Sequence, residues 1–118
     1  MSVSQSSPLV APVTVSVAPT ETTLCSFTRE TLKGAKQVTI QVVNLDAAQT
    51  FVGIVYRRKA GMSAWAPSTL PDFSSVNALS SVMVDIPVEG TDELELRGTM
   101  SGAGGNMQVG ATRKASTP

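Results

Sequence analysis

Strict alternation of β-branched residues is the feature that most constrains this chain. Val13, Val15 and Val17 alternate with Thr14, Ser16 and Ala18. Val38, Ile40 and Val42 alternate with Gln37, Thr39 and Gln41, and Val82, Val84, Ile86 and Val88 with Met83, Asp85 and Pro87. A side-chain period of two puts one set of residues on each face of a strand, and β-branched side chains fit a pleated surface. Shorter runs repeat the pattern: a weaker one over Thr22–Phe27, then Leu94 with Leu96, and last Met107, Val109 and Ala111. Phe51–Arg58 (FVGIVYRR) begins apolar on both faces, as expected of a strand in the middle of a sheet. No segment carries a sustained helical period. The connection Thr28–Lys36 has room for one helical turn.

Six to eight short strands separated by turn residues predict an all-β, two-sheet antiparallel β-sandwich, Ig-like or jelly-roll-like. At 118 residues the chain is one ordinary domain, long enough to bury a core without disulfide or metal. The expected boundaries are an extended N-terminal arm over residues 1–12, the sandwich over 13–113 and a C-terminal tail over 114–118. The arm is Ser- and Pro-rich (MSVSQSSPLVAP), and its prolines oppose helix and remove ladder donors. Pro87 is expected near a strand end or on a sheet edge. Val43 and Leu45 break the phase of their strand, which predicts a bulge or a strand end there. Asn44–Gln49 and the glycine-rich Ser101–Asn106 read as hairpin turns, and Trp65–Leu79, with two prolines and the one Trp, as a long loop.

Composition narrows the chemistry. There is no His, which removes imidazole-based nucleophile systems and imidazole metal sites. Cys25 is the one cysteine, so no intrachain disulfide or thiolate pair exists; lying between Leu24 and Phe27, it reads as an inert, half-buried thiol. Glu93 and Glu95 flank Leu94 at period two, which places both on one solvated strand face, and the acidic residues from Asp85 to Glu95 match no EF-hand spacing. SGAGGN lacks the Lys-Ser/Thr pair of a phosphate loop. No catalytic residue, metal or cofactor is expected, and the chain is read as a non-enzyme.

Nine Lys+Arg balance nine Asp+Glu, so no net field steers the domain toward nucleic acid or membrane. The N-terminus lacks the basic n-region of a signal peptide, and no run reaches the ~20 apolar residues of a spanning helix. Synthesis in a cytoplasm is therefore expected. Arg57-Arg58-Lys59, between Tyr56 and Trp65, is the one basic run. It reads as a solvated strand end, as an interface corner, or as a single-stranded nucleic-acid contact; three cations on a neutral domain are few for the last.

From Gln37 to Arg113 the order of segments resembles a small β-sandwich type of tailed-bacteriophage virion proteins. The segments are QVTIQVVNLDAAQTFVGIVYRR, GMSAWAP, SVMVDIPVEG and ELELRGTMSGAGGNMQVGATRK. The resemblance implies a capsid decoration, cement or minor head or tail subunit, located in the virion and seated on the major capsid protein or other virion proteins. It also implies a homo-oligomer, with a trimer among the candidates, and partners that are neither nucleic acid nor membrane. Expected contact residues are Leu9 and Val10 of the arm, Arg57, Arg58, Trp65 and Phe73. On this reading, deleting residues 1–12 leaves the fold intact. The competing expectation is a carbohydrate- or receptor-binding module of a tail fibre or adhesin, with Trp65 and Phe73 as a stacking platform.

Overall fold

A computed structural model describes residues 6–115, including their side chains except at positions 6–9, 69–72 and 74. Eight strands and one helical turn follow one another: β1 (Ser6–Val17), β2 (Thr22–Phe27), α1 (Arg29–Leu32), β3 (Ala35–Asn44), β4 (Phe51–Arg58), β5 (Ala66–Val76), β6 (Ser81–Pro87), β7 (Glu93–Met100) and β8 (Gly105–Ala115). They form two four-stranded sheets, β1-β8-β3-β6 (sheet A) and β2-β7-β4-β5 (sheet B), with every pair antiparallel. The expected two-sheet β-sandwich is present, and its strand order is that of an eight-stranded jelly roll.

The alternation read from the sequence decides which side chains meet between the sheets. Val38, Ile40, Val42, Ile86, Met107 and Val109 line the inner face of sheet A, and Phe51, Val55, Leu94, Leu96 and Met100 that of sheet B; all are buried. Phe51 is accommodated by two glycines. Gly53 and Gly98 face each other across β4 and β7, and a Cβ on either would collide with the Phe51 ring. Asn44, the buried polar residue at the end of β3, donates from Nδ2 to the carbonyls of Gln49 and Val76, at 2.8 and 3.1 Å. Its Oδ1 accepts from the Asp46 amide at 2.9 Å, so the burial leaves neither end of the amide unpaired. The phase break at Val43 and Leu45 is thus a strand end, with β3 in unbroken register with β6 up to Val43. α1 is the single turn expected after Thr28, whose Oγ1 caps it by accepting from the Thr31 amide.

Several boundaries differ from expectation. Residues 6–12 are not a free arm: β1 begins at Ser6, and Ser6, Ser7, Pro8 and Val10 pair with Lys114, Arg113, Thr112 and Ala111 of β8. Two bulges absorb the prolines. Deleting residues 1–12 would therefore uncover the edge of β8 from Ala111 to Lys114, while Val13 to Val17 keep their pairing with Val109 to Gly105. The tail is also shorter, since Lys114 and Ala115 belong to β8. Trp65–Leu79 is mostly strand β5, not loop. Pro67 and Pro71 are tolerated because β5 is an edge strand whose pairing with β4 is twice interrupted. Pro87 closes the edge strand β6, satisfying both readings of its position. Asn44–Gln49 and Ser101–Asn106 are not hairpin turns, because each links the two sheets. Gly102 and Gly104 do take the positive φ expected of that segment, at 61° and 88°.

Candidate interaction surfaces

Outward-facing residues of β4 and β7 assemble a charged and aromatic array on sheet B. Strand register sets Arg58 opposite Glu93, Tyr56 opposite Glu95 and Ile54 opposite Arg97. Arg58 grips Glu93 with two bonds, Nε to Oε1 at 2.8 Å and Nη2 to Oε2 at 3.2 Å. Arg97 donates from Nε to Glu95 Oε1 at 2.6 Å and reaches Glu21 Oε1 at 3.5 Å through Nη1. Tyr56 donates its hydroxyl to the other Glu21 oxygen at 3.2 Å. The two guanidinium groups also cover rings: Arg58 lies 4.2 Å from the Trp65 centroid, and Arg97 lies 4.3 Å from Tyr56 and 5.5 Å from Trp65.

The electrostatics follow from these contacts. Hydrogen bonding to Glu93 raises the Arg58 pKa, and hydrogen bonding to Glu95 raises that of Arg97. Tyr56 is raised by loss of solvent and then by the Glu21 charge. Glu93 and Glu95 lie on the outer face, as expected, but are held by arginines. Such an array orients side chains and stiffens the face.

Arg57 points the other way, since it alternates with Tyr56 and Arg58. Its Nη1 donates to the Pro87 carbonyl at 2.6 Å and to Thr91 Oγ1 at 3.3 Å, tying the end of sheet B to the β6–β7 connection. Partial burial lowers its pKa. Arg57 and Arg58 help line a hollow of about 310 Å³ at this end, shared with Lys59, Met62, Ala66 and Thr91.

The outer face of sheet A has a different character. Thr39 and Gln41 of β3, Gln108, Gly110 and Thr112 of β8, and Met83 of β6 point outward, and the middle of the face carries no charge. Because Gly110 has no side chain, the face dips there. A groove of about 400 Å³ lies between the bulged Val10–Pro12 segment and Met83, which is 63% exposed.

The expected contact residues are thus divided. Val10 is half-buried and borders the sheet A groove, and Leu9 precedes it in β1 with its side chain outside the described residues. Arg57, Arg58 and Trp65 gather at one end of sheet B. Phe73 is no contact residue: it stands opposite Gly53 and is 1% exposed, in the core. Its partner Gly53 is on the inner face of β4, so Phe73 shares that face. It therefore shares no stacking platform with Trp65, whose ring is flanked by Arg58. Sequence reasoning missed Glu21 and Arg97, brought together from 76 residues apart, and Met83 and Gly110 of the groove. The alternation of Gln37, Thr39 and Gln41 with valines was the available signal for an uncharged outer face. Cys25 is more secluded than expected: it is buried, and burial pushes its thiol up to about 12.

No family model matches the chain, and no curated protein matches it. Among solved structures it is similar to a protein described under the heading "Bacillus endospore appendages form a novel family of disulfide-linked pili". The TM-score is 0.55 at 9% identity, over 98% of this chain and 90% of that one. At that identity the likeness is one of fold.

Proposed function

We propose that this chain is a structural subunit of a bacteriophage particle, a decoration or cement protein seated on the major capsid protein through the outer face of sheet A. The observation that carries the reading is the uncharged, dipped face around Gly110 and Met83. Seating a partner there desolvates hydroxyls, amides and a flexible thioether, and strands no buried charge. Around it the rim offers Asp85 and Lys114 for orientation. The resemblance of its segment order to a small β-sandwich type of tailed-phage virion proteins points the same way. Its jelly-roll architecture serves many functions and favours none. The protein of similar fold is described as forming disulfide-linked pili; here the buried Cys25 thiol is poorly placed to cross-link copies.

The test is quantitative mass spectrometry of purified particles from the source lysate. A fixed ratio to the major capsid protein is expected, and that ratio separates lattice decoration from a unique vertex. Absence from clean particles would overturn the virion assignment.

A further inference from the structure

The hollow at the end of sheet B combines a positioned guanidinium, a free ammonium and an apolar wall. Arg57 is held by Nη1 alone, through the Pro87 carbonyl and Thr91 Oγ1. Among the described residues no acceptor meets its Nε or Nη2, and no carboxylate lies within ion-pairing distance of Arg57 or Lys59. The contrast with Arg58 is direct, because Arg58 spends its own Nε–Nη2 edge on both oxygens of Glu93. That edge is the geometry that grips a carboxylate with two parallel bonds. Met62 and Ala66 supply apolar surface beside the cations, and Met62 is 61% exposed. At about 310 Å³ the hollow is at the small end of ligand pockets, suited to one side chain or chain end.

We propose that this hollow binds a carboxylate on a short apolar stem, presented by a partner polypeptide as an acidic side chain or as a chain end. The Nε–Nη2 edge of Arg57 takes both carboxylate oxygens, Lys59 adds a second charge, and Met62 with Ala66 packs against the stem. Thr91 and the Pro87 carbonyl act as positioning groups that aim the guanidinium. This site is separate from the sheet A face and goes beyond the assembly role proposed for that face.

Isotope-labelled protein would be titrated with four blocked tripeptides while backbone amides are followed by NMR. One has a central glutamate and one the matching glutamine; a third ends in a free alanine carboxylate and the fourth in its amide. We expect saturable shifts at Lys59, Met62, Ala66 and Thr91, which line the hollow, with at least one acidic peptide, roughly tenfold stronger than with its neutral match. Which acidic peptide binds tells side chain from chain end. Arg57→Lys, which keeps the charge and loses the fork, should weaken binding by roughly tenfold. Lys59→Met, at an exposed position, should weaken it by about threefold without touching the core. Acidic peptides no better than their neutral matches would overturn the site, as would unchanged binding in both variants. Neither result bears on particle incorporation, so the sheet A reading fails or stands separately.

Discussion

The outer faces of the two sheets come from the same alternation and yet differ in how far they satisfy themselves. On sheet B, Arg58, Arg97, Glu93, Glu95, Glu21, Tyr56 and Trp65 complete one another's bonds and ring contacts. On sheet A, Thr39, Gln41, Thr112 and Met83 surround a dip, where among the described residues Thr39 accepts from Gln37 Nε2 at 3.3 Å and donates to Asp85 at 2.7 Å. A face that spends its polar groups internally contributes to its own stability. The sheet A face, concave and without charge at its middle, makes fewer such internal bonds among the described residues, as the proposed docking would require. Glycines sharpen the contrast: Gly98 faces inward under the sheet B array, whereas Gly110 faces outward on sheet A.

The largest effect is expected at Gly98. An added Cβ would overlap the Phe51 ring and the Val52 carbonyl, and the backbone oxygen cannot swing aside as a flexible side chain would. Gly98→Ala should cost about 3 kcal/mol, the upper range for overpacking a core, read by denaturant unfolding. Made in a Phe51→Ala background, itself destabilised by the loss of a buried ring, the same substitution should cost less, because the ring that the methyl strikes is gone. A neutral Gly98→Ala would mean that the two sheets are not packed as tightly as this glycine pair requires.

Arg97→Ala comes next. The substitution removes an ion pair with Glu95, a longer one with Glu21 and the cover over Tyr56. Half-exposed contacts of this kind are each worth a few tenths of a kcal/mol to 1 kcal/mol, so a loss of about 1–2 kcal/mol is expected. Raising the salt concentration should shrink the difference between the two proteins. Incorporation into particles should be unchanged, and a loss there by a variant that is still folded would move the docking face from sheet A to sheet B.

The contrast between the faces was only partly legible in the sequence. Period two identified the inner residues of β3, β6, β7 and β8 because a buried face must be apolar whatever its neighbour. It could not say which strand pairs with which. The jelly-roll order rests on pairings such as β1 with β8, made across the whole chain length, and no local signal encodes them. Proline misled for a related reason: in β1 and β5 it marks an edge that needs no donor on one side, and a sequence cannot distinguish an edge from a loop. Phe73 was misplaced by that same error. Arg57, Arg58 and Trp65 were found together because they are neighbours along one hairpin. Arg97 and Glu21 were not, since only the fold joins them.

The smallest stability effect should accompany the sharpest functional one, at Gly110. A Cβ there meets nothing closer than 3.7 Å, so Gly110→Arg needs no movement of the backbone. Loss of glycine's extra chain freedom favours the folded state slightly, and the side chain projects into solvent; unfolding should shift by no more than about 0.5 kcal/mol. The arginine would nevertheless fill the dip between Pro12 and Met83 and carry an unpaired charge into any surface seated there. Burying such a charge costs several kcal/mol, enough to cut incorporation into particles by more than about tenfold. The paired measurement is unfolding of the purified variant and its abundance relative to capsid protein in particles assembled in its presence. Full stability with lost incorporation would identify sheet A as the docking face. Normal incorporation would return that role to the edges of the sandwich or to the array on sheet B.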